Sequence, residues 1–514
     1  MTEPATALPE AARTFPQLIR ASAAAYGDTL AVRADGDGAG DETITFAELE
    51  RRSAELARGL LARGAGKGSR IGFIFGNGPG FAVMLAAIAR IGAVAIPIST
   101  MIRAGELVRV LRQSDVGGLI LQRRFMGYDY VERLCEAQPG LREARPGAIR
   151  LPEVPYLRWV ASTGDALPAA IEPLDNLFNA AETLGEDLLL SVESEVHPAD
   201  QMVEIYTSGS MALPKGVRHN HGPVLFRTKY LGEMLSITRG TEVTAQLPMF
   251  WIGGLMMYLM PALQAGATTF CPGRTLNNSR VAMGSVLTDA DLALLSKQPK
   301  PWWGLGMSET LGPYSYAGDE FRAPGRPLCA PLDHFADGYE IRIADGDNNP
   351  VGDGEIGEMQ VRGYPVTPGL HKIENATYFT PDGYYRTGDM CEVDGTRVHF
   401  VGRDGDMIKT AGSNVSPAEV EMELQALDAV EAAYVFGIPD SERGQLLVAA
   451  VIPAGGSEPD FAEIEAQMKA RLSGYKVPRG WVAISREDVP ILHSNKVARR
   501  ELVEIVKQRL GRTG

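Results

Sequence analysis

The stretch "IYTSGSMALPKGVRHNH", residues 205–221, gathers hydroxyls, glycine and one lysine into a few positions. Thr207, Ser208 and Ser210 offer hydroxyl donors, and Gly209 lets the backbone bend so that N–H groups converge. Lys215 adds a point charge beside them. Such a set suits the cradling of a phosphate. A Ser/Gly-rich surface turn has the same composition, and the stretch taken alone leaves both readings open.

A cradle must be carried by something. "VEIY" ahead of it reads as a strand, and an α/β run begins near Val203. Upstream, "TFAELERRSAELARGLLARG" keeps near-helical apolar spacing at Leu49, Ala54, Leu56 and Leu60, and Gly64 and Gly66 end it. "RIGFIF" is a short apolar strand, Asn77 to Gly80 a turn, "GFAVMLAAIARIG" a second helix and "AVAIPI" a second strand. This alternation predicts a parallel sheet covered on both faces. Residues 136–200, rich in Pro, Glu and Asp, read as surface elements. From about Asp337, strand alternation and Asp-Gly and Asn-Pro pairs predict a β-rich subdomain. "GRDGD" at 402–406 is a linker, and Ser416 to Glu419 forms a capping box that opens a helix. The expected fold is α/β. A large multi-subdomain N-terminal domain (1–402, parallel α/β sheets plus the β-rich part) meets a hinge (403–406) and a small mobile α+β C-terminal domain (407–514).

The 514 residues suggest two to four folding units at roughly 150 residues each. A net charge of −14 argues against nucleic acid or an anionic membrane as the main partner. Cys135, Cys271, Cys329 and Cys391 form no CxxC, which argues against a disulfide framework or zinc site and fits a reducing cytosol. The first residues lack a secretory apolar core. The longest apolar run, "FAVMLAAIARIGAVAIPI", is broken by Arg90, Gly92 and Pro97, so a buried helix and strand are expected rather than a membrane span. A cytoplasmic location follows as the expectation.

"YTSGSMALPKG" resembles the phosphate loop of the adenylate-forming superfamily of acyl-CoA synthetases, luciferases and adenylation domains, whose usual form is YTSGTTGxPKG. Further stretches resemble its other segments in order. They are "PMFWIGGL" (248–255, acyl pocket), "GMSET" (306–310, nucleotide and metal), "YYRTGDM" (384–390, ribose), "GRDGDMIKTAGSNVSPAEVE" (402–421, hinge) and "VPILHSNKVARREL" (489–502, catalytic lysine). The likeness runs from about Phe15 to Leu502.

The resemblance implies a two-step reaction. A carboxylate attacks the α-phosphate of ATP to give acyl-AMP, and a thiol, usually coenzyme A, then displaces AMP. Thr207, Ser208, Gly209, Ser210, Lys215, Gly284, Gly306, Met307 and Ser308 would bind the nucleotide. Glu309 would ligate Mg²⁺, and Thr310 would bond a phosphate oxygen. Asp389 would accept from the ribose hydroxyls, and Arg403 would reach the ribose or phosphate. Lys496 would bridge the substrate carboxylate and α-phosphate in the first step. Rotation at Gly405 would then bring Lys409 and Gly412 to the thioester-forming face. Trp251 and Gly254 would border the acyl pocket. Outside these motifs, Glu309 would read as a solvated loop carboxylate, Thr310 as a cap, Asp389 as a turn residue, Arg403 as a linker ion pair and Lys496 as an exposed lysine.

The chain also departs from the pattern. Met211 and Ala212 replace a threonine and a glycine of the phosphate loop, and Ala212 brings a Cβ where positive φ suits glycine. Leu305 stands where an aromatic commonly stacks on adenine, with Trp302 and Trp303 nearby. Trp251 takes a common histidine position, and Asn495 a glycine position. Gly405 sits where Asp or Lys is usual. The interval from Trp251 to Met307 is a few dozen positions shorter than in the family. That fits an open pocket for a bulky apolar acid, a degenerate relative, or a truncated gene product. The expected function is an AMP-forming acyl-CoA synthetase for an apolar carboxylic acid. The alternatives are loading of a carrier-protein thiol, and a nucleotide- or acyl-binding relative without turnover. A small acid is the expected partner, nucleic acid and a transmembrane segment are not, and a homodimer is left open.

Overall fold

The computed structural model describes residues 9–35, 42–145, 147–207, 214–272, 303–317, 329–331, 337–403, 408–411, 413–415, 417–456, 458–490, 497 and 499–511. Its largest sheet has seven strands. Across the sheet they run Lys215–Asn220, Gln201–Thr207, Val94–Pro97, Arg70–Ile74, Gly118–Leu121, Trp159–Ser162 and Ile171–Pro173. All neighbours are parallel except the first pair, which is antiparallel. The helix Pro79–Arg90 is apolar nearly all round and is buried along its length, as a helix pressed between a sheet and other helices must be. The helix Phe46–Ala62 opens on a capping box: Thr45 Oγ1 accepts from the Glu48 N–H at 3.1 Å, and a Glu48 carboxylate oxygen accepts from the Thr45 N–H at 2.9 Å. Arg90, 0% exposed, ties these helices to a third: it donates to Glu50, Ser53 and Glu193. The opposite sheet face is covered by Ala104–Gln113 and Tyr130–Ala137.

Residues 136–200 correct one expectation. They are not only surface elements, because Trp159–Ser162 and Ile171–Pro173 complete the large sheet and Val160 and Ala161 are buried. A second sheet of four strands combines Glu242–Thr244, Thr268–Cys271, Leu30–Ala34 and Glu42–Thr45. The expected β-rich part is a five-stranded antiparallel sheet whose order is Cys329–Pro331, Arg397–Arg403, Tyr385–Asp394, Ile356–Gly363 and Tyr339–Ala344. Beyond the linker, a five-stranded sheet spanning Ile408 to Ala483 packs against Pro417–Gln425 and Phe461–Arg471 around its own core. Ser416, and with it the expected capping box to Glu419, lies outside the described residues. Among the described residues no helix is long and apolar enough to cross a membrane, and Cys135, Cys271 and Cys391 are free and buried.

Candidate active site

The hydroxyl-rich stretch closes an antiparallel pair. The strand Gln201–Thr207 runs beside Lys215–Asn220, with Thr207 opposite Lys215. Ser208, Gly209 and Ser210 lie outside the described residues, as do Met211 and Ala212. Below Thr207, the buried Glu204 carboxylate accepts from Tyr206 Oη at 2.7 Å and Arg70 Nη2 at 2.6 Å. Burial and the neighbouring Glu204 charge push the Tyr206 hydroxyl far up, so it stays a donor. Lys215 Nζ lies 4.2 Å from the centre of the Tyr378 ring, a cation–π distance.

Facing this pair is a hairpin, Trp303–Met307 with Gly312–Ala317, whose tip is the turn Ser308–Thr310. Gly306 is required at its base: a Cβ there would stand 2.4 Å from Pro313 Cα. Each backbone carbonyl of the turn is held by a different element. His219 Nε2 donates to the Ser308 carbonyl at 2.7 Å, the Thr367 N–H to Glu309 at 2.7 Å, and Tyr339 Oη to Thr310 at 2.6 Å. The Thr310 hydroxyl is turned inward, accepting from the Met307 N–H at 3.1 Å and donating to the Gly312 carbonyl at 2.8 Å. It closes the turn as a cap does. Burial drives His219 from its usual 6.5 down to about 4, so the ring is neutral and its Nε2–H is the donor. Glu309 is 8% exposed, and its Oε1 accepts from Tyr385 Oη at 2.9 Å.

Asp389, 5% exposed, sits in the strand Tyr385–Asp394 with Arg403 paired opposite it on Arg397–Arg403. Leu305 is packed among Tyr314, Met359 and Val361 in the β-rich core. On the apolar side, Asn77 bridges the wall segment: its side chain donates to the Leu247 carbonyl at 3.0 Å and accepts from the Met249 N–H at 2.8 Å. Trp251 then meets Phe250 edge to face at 5.6 Å. Gly254 is a packing glycine, since a Cβ would stand 1.9 Å from the Pro248 carbonyl oxygen, and it is Gly253 that borders the cavity. Leu255, Met256, Leu259 and Met260 belong to the protein core.

Several of these regions meet at one cavity of about 380 Å³, whose described lining includes Thr207 and Ser308 but not Lys215, Glu309 or Asp389. Thr207 and Pro214 border it on one side, Gly306, Met307 and Ser308 on another, and Leu247, Phe250, Trp251 and Ile252 on the apolar side. The remaining walls come from Pro97 to Val110 and from the C-terminal unit, through Ser413, Glu419, Tyr475 and Lys476. That unit is docked by buried charge. Lys476 Nζ donates to Glu106 on the helix Ala104–Gln113 at 2.8 Å and to Glu419 at 2.9 Å. The Ser473 N–H and hydroxyl also donate to Glu106, at 3.1 and 2.7 Å, and Arg109 pairs with Glu423. Burial alone would raise the Glu106 carboxyl, but the Lys476 ammonium holds it below the usual range, while burial raises that of Glu419. Lys409 is exposed, its ammonium 5.4 Å from the Phe400 ring centre, and Gly412 lies outside the described residues. So do Gly284, Gly405, Trp302, Asn495 and Lys496. The sequence reading missed His219, Tyr339, Thr367, Tyr385, Glu106 and Lys476. Val217, two residues before His219 and so on the same strand face, is the one local sign that the ring points inward.

The residues present fit a magnesium nucleotide. Among the described residues no three His, Cys, Asp or Glu side chains form a metal cage. Among the described residues Glu309 Oε2 has no protein partner, which suits a hard cation shared with phosphate oxygens rather than enclosed by protein.

Residues 19–289 match the family model described as AMP-binding enzyme, and residues 419–496 match that of the AMP-binding enzyme C-terminal domain. The chain is 29% identical to feruloyl-CoA synthase of Amycolatopsis sp, covering 92% of this chain and 95% of that protein. It is 28% identical to a salicyl-AMP ligase / salicyl-S-ArCP synthetase of Mycobacterium tuberculosis, over 96% and 91% of the two. Its fold resembles that of an o-succinylbenzoate CoA synthetase double mutant from Bacillus subtilis bound with a product analogue, with a TM-score of 0.68, 21% identity, and 95% and 98% coverage.

Proposed function

The chain belongs to the AMP-binding enzyme family, and on that premise we propose that it is an ATP-dependent, AMP-forming acid–thiol ligase that activates an apolar carboxylic acid and passes it to coenzyme A. The observation that carries this reading is the single cavity bordered by the Thr207 strand end, the Gly306–Ser308 segment, an apolar wall and the C-terminal unit. A ligase of this type needs charge stabilisation, an apolar seat and a thiol approach at one point.

In this reading Lys215 and the donors around Thr207 orient the phosphates. Glu309 presents Oε2 to Mg²⁺, which when bound would neutralise charge on the phosphate oxygens. Thr310 acts by closing the turn, since its hydroxyl is turned onto Gly312. Asp389 takes the ribose hydroxyls, with Arg403 across the ladder from it. Trp251, Phe250 and Leu247 exclude water from the acid. Lys496 supplies the ammonium for the first step and Gly405 the swivel. The hairpin Ile408–Thr410/Ser413–Val415, which carries Lys409 and leads into Gly412, supplies the thioester-forming face. Ser413 of this hairpin already borders the cavity.

The test is ATP–pyrophosphate exchange with a panel of carboxylic acids, followed by thioester formation with coenzyme A or a phosphopantetheinylated carrier protein. Acid-dependent exchange that falls about 10²–10³-fold in Lys496→Ala supports adenylation. Thioester appearing only on the carrier protein would redirect the second step. No exchange from folded protein with any acid would overturn the ligase reading in favour of a binding relative.

A further inference from the structure

The carboxylate and the ammonium of this site stand at opposite ends of an aromatic pair. Tyr378 and Tyr385 stack with ring centres 6.1 Å apart and planes 14° from parallel. Lys215 Nζ lies over Tyr378, and Tyr385 Oη donates to Glu309 Oε1 at 2.9 Å. Backbone contacts set the pair: the Arg386 N–H donates to the Tyr378 carbonyl at 2.7 Å, and Phe379 bridges to Tyr385. Phe379 also meets the Tyr385 ring edge-on at 5.2 Å, and Tyr385 is buried. No ion pair between Lys215 and Glu309 is found among the described residues.

A glutamate has three side-chain torsions and two equivalent oxygens, so an unfixed one samples many poses. A phenol donating to one oxygen selects one pose and leaves the other oxygen for a ligand. A lysine next to an unfixed carboxylate would collapse onto it. Here the ammonium rests instead on a π-face, a weak partner that a phosphate readily replaces.

We propose that Tyr385 is a positioning residue that aims Glu309, and that the Tyr378–Tyr385 stack is a spacer keeping Lys215 and Glu309 apart and separately available to a magnesium nucleotide. This rests on the adenylating reading above. It adds two residues that act through others, without touching the reacting atoms.

The experiment uses the full chain and a non-hydrolysable ATP analogue with a methylene bridge between the α- and β-phosphorus. Calorimetry reads analogue affinity across a Mg²⁺ series for wild type, Tyr385→Phe, Tyr378→Leu and Tyr378→Phe. In Tyr385→Phe the ring contacts persist. The Mg²⁺ concentration for half-maximal gain in affinity should rise about tenfold, with Mg²⁺-free affinity unchanged. In a Glu309→Gln background the same change should have no further effect, a non-additivity that a merely structural role would not produce. Tyr378→Leu should weaken the analogue about threefold or more at every Mg²⁺ concentration, and Tyr378→Phe should bind like wild type. An unchanged Mg²⁺ midpoint in Tyr385→Phe overturns the positioning role, and wild-type affinity in Tyr378→Leu overturns the spacer. A wild-type chain that binds no analogue takes down the adenylating reading and this proposal together, whereas failure of the variants alone leaves adenylation standing.

Discussion

The turn that carries Glu309 and the seam that docks the C-terminal unit are both buried and polar, and both border one cavity, yet they are held by opposite means. The turn is fastened by neutral donors from Tyr339, Thr367 and His219, all within the N-terminal unit. The seam is fastened mainly by charge: the Lys476 ammonium lies between carboxylates on the two units, Arg109 pairs with Glu423 across it, and Ser473 adds two hydrogen bonds to Glu106. Several small hydrogen bonds from different elements make a rigid part. A buried ion cluster behaves otherwise. Separated intact, its charges regain water, which offsets much of the lost attraction; left half-made, it strands a charge without solvent. Rigidity thus sits where a carboxylate must be aimed, and separability where a domain is proposed to swing.

The largest predicted effect tests the seam. Lys476→Met strands Glu106 and Glu419 and should weaken docking by about 3–5 kcal/mol. Small-angle scattering should show an expanded particle and urea unfolding a separate first transition. Replacing Lys476, Glu106 and Glu419 together by Met, Leu and Leu should restore most of the docking. A compact particle with one unchanged transition in the single variant would refute the stranded-charge account.

Next, His219→Ala should destabilise the N-terminal unit by about 2 kcal/mol, because the buried Ser308 carbonyl loses its donor and a cavity opens. Pyrophosphate exchange should fall with it, since Glu309 is the adjacent residue. Loss of stability with full exchange would show that the remaining bonds hold the turn unaided.

Acid should act on the turn by a defined sign. His219 titrates near 4 when folded against its usual 6.5, so the unfolded chain binds the extra proton in that window. Stability present above about pH 6.5 should be lost as pH falls towards 4, at about 1.4 kcal/mol per pH unit from this ring. His221, lowered to about 3 by burial, adds in the same direction. Urea midpoints across that range, compared with a His219→Gln variant whose slope should be shallower, provide the check.

Thr310→Val is the smallest change. It removes the turn's inner cap and should cost about 1 kcal/mol by thermal unfolding. A much larger loss of exchange than of stability would mean that the hydroxyl turns outward to a phosphate in the working enzyme.

Local pattern made the scaffold legible. The run through Pro79–Arg90 and Val94–Pro97 showed its burial in its composition, and "VEIY" marked the strand Gln201–Thr207. Trp159–Ser162 was missed because four residues amid Pro and Asp give no period to read. Motif order pointed to candidate regions, of which the structure brings Thr207, Gly306, Met307 and Ser308 to one cavity. The partners that aim these residues were invisible for a different reason. Tyr385 lies 76 positions from Glu309, His219 lies 89 from Ser308, and Lys476 lies 370 from Glu106. Such pairings arise from topology, and no window of sequence contains both members.

The register of Thr207 against Lys215 has a consequence for variation along the chain. Both ends of the intervening stretch are pinned in neighbouring strands of a buried sheet, so the ends are already closed whatever lies between. Closure entropy grows only slowly with length, by about 0.6 kcal/mol per doubling. Changes in the length of the intervening stretch should therefore cost folding little. Such a stretch can drift toward new ligands while the scaffold that carries it stays under separate selection.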